Sequence, residues 1–279
     1  MLLSAEQLAQ YQQNGFLVLE GFVKPEACRL VRERAGQMVE AFDPDGIVSI
    51  FSTQEQSHLR DEYFLGSGDK IRFFFEEDAF LPNGELKQSK DRSINKIGHA
   101  LHDLDPVFSE FSKTAAIRQL VSDLNIENPL LLQSMYIFKQ PKIGGEVTCH
   151  QDSAFLYNDP ISIAGLWFAL EDATTENGCL WAIPGGHGLG LKSRWRRAEG
   201  TMGFEVFDPS PYPEDLLVPL EVSEGSLILL HGLLPHKSLA NRSPKSRQAY
   251  TLHAISGNSN YPADNWLQRP PEMPFRGFE

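Results

Sequence analysis

From residue 130 onward the chain breaks into short runs rich in β-branched, aromatic and aliphatic residues, each bounded by Gly, Pro, Asn or Asp. They are LLLQSMYIFKQ (130–140), ISIAGLWFAL (161–170), CLWAIP (179–184), LLVPLEV (216–222), SLILLHG (226–232) and RQAYTLHAIS (247–256). Many short strands with turn signals between them indicate an antiparallel sandwich or barrel, not alternating βαβ units. This pattern constrains the fold class more than any other feature.

The first forty residues read as helix, strand, helix. Ser4 and Gln7 form a capping-box pattern, Asn14-Gly15 stops the helix, FLVLEGF (16–22) is a strand, and Pro25 opens a second helix to about Phe42. A loop-rich stretch (43–69) precedes a strand at KIRFFFE (70–76) and a turn at Asn83-Gly84. Asp105-Pro106 starts one further helix with an apolar stripe running to Leu124. The expected fold is mainly β with flanking helices. One domain spans 1–279, with helical support over roughly 1–125 and a jelly-roll core over roughly 130–256.

Inside the β-rich half, His150-Gln151-Asp152 is followed by His236 and then Arg247. In an extended segment side-chain direction repeats every two residues, so His150 and Asp152 share a side. With a distant histidine they form the parts of a 2-His-1-carboxylate triad, which holds Fe(II) on one face and leaves the other open to O2 and a cosubstrate. Arg247 adds a planar two-donor fork suited to the far carboxylate of 2-oxoglutarate. His236 is preferred over His231 as third ligand because Arg247 opens the next strand, at the facing end of the pair. His231 ends an apolar strand and reads as a core or supporting residue, and His187 as a turn residue. His58, His99, His102 and His253 carry no motif.

The net charge of -12 argues against a nucleic-acid partner, and no segment is apolar for long enough to span a membrane. Three cysteines (Cys28, Cys149, Cys179) without a paired spacing suit a reducing compartment. The N-terminus lacks the pattern of a secretory signal and the C-terminus that of a peroxisomal address, so the expected location is cytoplasmic.

The chain resembles the phytanoyl-CoA dioxygenase family over nearly its whole length. The resemblance is carried by FLVLEGF, IFSTQEQ, DKIRFFFE, SINKIGHALHDLDPVF, QSMYIFKQPKIGGEV, CHQD, GLWFALEDATTENGCLWAIPGGH, HKS and DNWLQ. It implies a double-stranded β-helix with iron bound by His150, Asp152 and His236. It also implies 2-oxoglutarate contacts from Lys96, Met135, Trp167, Ser238 and Arg247, with Gln151 in the same contact stretch. Each has a plainer counterpart: a strand-end surface residue for Arg247, a snorkelling surface residue for Lys96, a turn residue for Ser238, and core packing for Met135 and Trp167. The apolar flanks of Lys96 favour a buried carboxylate partner.

The implied activity couples decarboxylation of 2-oxoglutarate, to succinate and CO2, with hydroxylation of an unactivated C–H in a small organic or acyl substrate. An aspartate at 152 disfavours halogenation, for which related enzymes keep a small residue there. Two other classes share the ligands: a sensor that binds metal and 2-oxoglutarate without turnover, and a zinc-dependent hydrolase. Lys192, Arg194, Arg196 and Arg197 form a dense basic run, read as a substrate entrance for an anionic group such as that of an acyl-CoA, or else as a solvated charged loop. The stretches 43–69 and 188–215 are candidate lids.

Overall fold

A computed structural model of the chain describes residues 1–44, 49–51, 61–198 and 200–278. Helix α1 (Ala5–Asn14) begins with a reciprocal cap: the Ser4 hydroxyl accepts from the Gln7 amide, and the Gln7 side chain accepts from the Ser4 amide. Strand β1 (Phe16–Leu19) and helix α2 (Pro25–Ala41) follow, then α3 (Glu62–Leu65), β2 (Ile71–Phe75), β3 (Ile94–His99) and α4 (Leu101–Leu104). Most of IFSTQEQ, and His58, lie outside the described residues.

The single helix expected after Asp105 is two helices, α5 (Pro106–Ser112) and α6 (Ala115–Asp123). Its apolar stripe is continuous, with Phe108, Phe111, Ile117 and Leu120 all buried, so periodicity alone hides the break. The cause is Thr114, whose hydroxyl accepts from the Ile117 amide and starts a new N-terminus.

The β-rich half supplies β4 (Leu130–Ile137), β5 (Val147–His150), β6 (Ala164–Ala169), β7 (Leu180–Ala182), β8 (Ser193–Ala198), β9 (Thr201–Val206), β10 (Val218–Leu220), β11 (Leu227–His231), β12 (His236–Ser238) and β13 (Ala249–Ile255). One sheet runs β1-β11-β6-β13-β4-β3-β2 and a second β10-β7-β12-β5, the two sides of an antiparallel jelly roll. Strands β1, β2 and β3 come from the first 125 residues, so the N-terminal part contributes sheet as well as helix. Strands β8 and β9 form a separate hairpin in the stretch expected to be loop. There the alternation of SRWRRA, with Trp195 buried at 1%, is masked by its charge.

Strands β6 and β13 are buried along their full length. Their outward faces, Leu166 and Phe168 on β6 and Tyr250 and Leu252 on β13, join one apolar cluster with Val31 and Ala35 of α2 and Phe108 of α5. The opposite face of the same strands carries Trp167, Thr251 and His253 and looks into the jelly roll. A strand buried on both faces reads as a continuous apolar run, which is why these segments are legible as strands but not as amphipathic ones. Phe168 packs against Phe22, Phe111 and Tyr250 at ring distances of 6.4, 5.1 and 6.2 Å. Phe168→Ala is expected to cost about 3–5 kcal/mol of stability, read by urea denaturation, because the rigid sheet cannot close the void.

Candidate active site

The register of three neighbouring strands lays out the site. His253 on β13 lies directly opposite Gln133 on β4 and Gly165 on β6, and Thr251 lies opposite Met135 and Trp167. On the second sheet, His236 of β12 pairs with His150 of β5. A cavity of about 210 Å³ lies between the sheets, lined by these residues together with Lys96, Ser238 and Arg247.

His150 Nε2 and His236 Nε2 lie 3.6 and 3.8 Å from Asp152 Oδ1. One ligand atom from each of the three residues falls within 4.8 Å of the others. Each imidazole places Nδ1 at the carbonyl two residues earlier, Thr148 at 2.8 Å and Leu234 at 3.0 Å. A carbonyl only accepts, so Nδ1 carries the proton and Nε2 turns its lone pair to the shared point. Burial alone would raise the Asp152 carboxyl, but the charges of His253 and His236 and the bond from His150 hold it well below the usual carboxylate range. Burial lowers His236 to about 4. Near neutral pH the aspartate is therefore an anion and His236 a neutral donor, the states a metal requires.

The other carboxylate oxygen, Asp152 Oδ2, faces His253 Nε2 at 3.2 Å, and Gln133 Nε2 lies 3.3 Å from His253 Nδ1. Gly165 makes this possible: a Cβ there would lie 3.0 Å from Asp152 Oδ2 and 3.6 Å from His253 Nε2. Sequence reasoning passed over His253 because its partners are defined by strand register, not by spacing. The signal available was a histidine in phase with Arg247 and Thr251 along one strand.

Arg247 is 1% exposed. Its Nε donates to the Gly178 carbonyl at 2.9 Å, its Nη2 to Ser238 Oγ at 3.2 Å, and its guanidinium stands 5.2 Å from the Trp167 ring centre. Nη1 is buried without a hydrogen-bond partner among the described residues. Lys96 is also buried, but its ammonium lies 3.4 Å from the Phe51 ring centre and 3.8 Å from Met135 Sδ, with no carboxylate beside it among the described residues. Burial holds Lys96 well below the usual lysine range. Met135, Trp167 and Ser238 line the same cavity.

Gln151 is placed elsewhere. Its amide donates to Gly190 O and Leu233 O at 2.8 and 2.7 Å, and its carbonyl accepts from the Lys192 amide at 3.0 Å. It ties the end of β5 to the neighbouring loops and does not line the cavity. The basic run does not gather there either. Lys192 pairs with Asp208 at 2.5 Å, Arg194 bonds Asp264, Arg196 pairs with Glu205 at 2.7 Å, and Arg197 is exposed. Glu205 thus ties β8 to β9 and Asp264 holds the hairpin to its surroundings, while Phe204 of β9 reaches the cavity wall. His231 stands apart from the triad, its ring tilted against that of His187 at 5.0 Å, and burial lowers it to about 4.

These features define a jelly-roll protein with a two-histidine, one-carboxylate site beside a buried arginine. The phytanoyl-CoA dioxygenase (PhyH) family model matches residues 11–249. Phytanoyl-CoA dioxygenase 1 of Oryza sativa subsp. japonica is 50% identical over 274 residues, covering 97% of this chain and 96% of that protein. Phytanoyl-CoA dioxygenase domain-containing protein 1 of Mus musculus is 46% identical over 284 residues, covering 98% and 97%. Among solved structures, the non-heme alpha ketoglutarate dependent carbocyclase SnoK from nogalamycin biosynthesis superposes with a TM-score of 0.66 at 15% identity, over 99% of this chain and 97% of that one. The chain belongs to the phytanoyl-CoA dioxygenase family.

Two outcomes follow from this geometry. Gly165→Ala should weaken divalent metal binding by about 10–100-fold in calorimetric titration while the fold is kept, because the added methyl displaces Asp152 or His253. Asp152→Ala should abolish that binding and His231→Ala should not. The lowered His231 bears on stability: its unfolded form takes up a proton near pH 6.5 and its folded form only near 4, so stability is lost as pH falls through that window. His231→Phe should flatten the pH dependence of the melting temperature between about pH 6.5 and 4.

Proposed function

We propose that this chain is an Fe(II)- and 2-oxoglutarate-dependent oxygenase that hydroxylates an unactivated C–H of a small organic or acyl substrate. The observation that carries the reading is one cavity that joins three convergent ligand atoms to a buried arginine with an unused donor. Imidazole nitrogen and carboxylate oxygen suit Fe(II), and an uncompensated guanidinium N–H inside a protein suits a carboxylate that arrives from outside.

Bound iron, O2 and 2-oxoglutarate supply the oxidising chemistry, with the cosubstrate leaving as succinate and CO2 and the substrate gaining a hydroxyl group. The chain's own residues do the rest. His150, Asp152 and His236 would hold the metal from one side and leave the other open. Arg247, with Ser238 and Trp167 around it, would seat the far carboxylate of 2-oxoglutarate and so fix which end faces the metal. His253 keeps Asp152 turned so that a single oxygen faces the histidine pair. Asp152 would supply a carboxylate to the metal where halogenating relatives keep a small residue, which favours hydroxylation.

For the substrate, the remaining wall is largely aromatic and aliphatic, with Phe64, Phe155, Leu156, Phe204 and Trp266 beside the polar Asn95, His99, Thr148 and Lys237. Such a wall excludes water and accepts an apolar chain. The family name points to an acyl chain, and a phytanoyl-CoA 2-hydroxylase-like reaction is the acyl form of the proposal. The pairing of Lys192, Arg194 and Arg196 with acids of this chain leaves them poorly placed to take phosphates, which favours a substrate without them.

With Fe(II) under air, the protein should convert 2-oxoglutarate to succinate even without a primary substrate, at a slow uncoupled rate, and Zn(II) should inhibit. Arg247→Gln should raise the KM for 2-oxoglutarate by about 10–100-fold with a smaller change in kcat. Succinate that never forms, whatever the metal supplied, would overturn the proposal.

A further inference from the structure

We infer that Lys139 and Arg247 together form a two-cation seat for one carboxylate at the closed end of the cavity. Lys139 is then the residue that selects a dicarboxylic 2-oxoacid over one with an uncharged tail. The inference rests on the 2-oxoglutarate reading above and adds to it a residue that neither sequence motif nor spacing singled out.

Lys139 follows β4, lines the cavity, and is only 2% exposed. Its backbone sits at φ 41°, a left-handed conformation that a lysine rarely adopts. The chain pins it there: the Lys139 carbonyl accepts from Asn241 Nδ2 at 3.0 Å and from the Arg247 amide at 3.3 Å. The side chain then turns inward, and Nζ donates to Gly145 O at 2.6 Å and Ser238 O at 3.4 Å. An ammonium has three donors, so one N–H is left over among the described residues. Arg247 Nη1 is left over in the same way.

Gly178 brings the two cations together. Its carbonyl accepts from both Arg247 Nε and Ser238 Oγ, at 2.9 Å each. A Cβ at this glycine would fall 2.7 Å from Lys139 Cε, so only the missing side chain lets the lysine stem lie against the arginine's anchor. Glu76 and Glu146 both act on Lys139, and Glu76, fully buried, accepts instead from Asn95 Nδ2 at 2.7 Å and from the Gly145 amide at 3.0 Å. Neither cation forms an ion pair among the described residues, so a donor on each stays unmet, and a buried donor without an acceptor is costly. Burial, and then the charge of Arg247, hold the Lys139 ammonium below the usual lysine range. One incoming carboxylate supplies the missing acceptors and the missing charge. A mono-acid with an alkyl tail supplies neither.

The test compares two five-carbon 2-oxoacids, 2-oxoglutarate and 2-oxopentanoate, by calorimetric binding to the Mn(II)-loaded protein. Lys139→Met removes charge and donors. Lys139→Gln removes the charge but can still donate to Gly145 O, which preserves the fold if the first variant fails to express. Lys139→Gln should weaken 2-oxoglutarate by about 10–100-fold and change 2-oxopentanoate by less than about threefold, so the preference for the diacid collapses. Equal weakening of both ligands would make Lys139 a purely structural tie between carbonyls, and unchanged 2-oxoglutarate binding would remove its role altogether. If the wild-type protein binds 2-oxoglutarate but the variant behaves like it, only this inference fails. If the wild type binds neither acid, the cosubstrate reading fails and the inference with it.

Discussion

The pairing of β13 between β4 and β6 is the constraint on which the site depends. Side chains along a strand alternate, and β13 spends one face on the helical layer through Tyr250 and Leu252 and the other on the cavity through Thr251 and His253. Slipping its register by one residue would send Thr251 and His253 into an apolar core and point two large apolar groups at the His150–Asp152–His236 cluster. Burial on both faces makes such a slip costly. The core that fixes the register of β13 therefore also fixes Thr251 and His253 against the cavity, without a separate device.

A second constraint is charge. Lys96, Lys139 and Arg247 are all buried in or beside one cavity, held by ring faces, a thioether, a hydroxyl and backbone carbonyls, with no ion pair to a carboxylate among the described residues. A chain optimised only for stability would not keep three such cations, since each carries a desolvation penalty that ring faces and backbone carbonyls offset in part. Asp152 is the opposite case, a buried acid that three imidazoles surround. The two ends of the cavity thus have opposite needs: one awaits an anion and the other a cation. The proposed cosubstrate, an acid that would bridge a metal to Arg247, would meet both at once.

What the sequence carries and what it hides follow from the same physics. The jelly roll is legible because turn residues punctuate the strands and because a helix cap such as Ser4 with Gln7 is local. His150, Asp152 and His236 are legible because two are held by strand periodicity and the third by its relation to Arg247; the three are brought together within 4.8 Å. The break at Thr114 is hidden because both helices bury the same stripe. The β8–β9 hairpin is hidden because its charges are dense enough to read as a solvated loop. His253, Gly165 and Lys139 are hidden for a deeper reason. Their roles arise from neighbours on adjacent strands, and a single sequence does not carry register.

That hairpin also separates reaction from substrate. The arginines that a sequence reading assigns to an anionic substrate are engaged with Asp264 and Glu205 of the same chain, so their work is to hold β8 and β9 in place. The side chain that the hairpin presents inward is Phe204, 39% exposed at the cavity wall, set 5.9 Å from the Phe155 ring that in turn lies 5.9 Å from His150. An edge of aromatic rings thus runs from the outer surface to His150, with no charged side chain between. Rings of this kind discriminate by shape and apolar area, not by charge, and a change of one methylene alters such binding only modestly. Under the proposed function, selection of the primary substrate would rest on how closely this wall fits, while the end of the cavity around Arg247 would seat the cosubstrate.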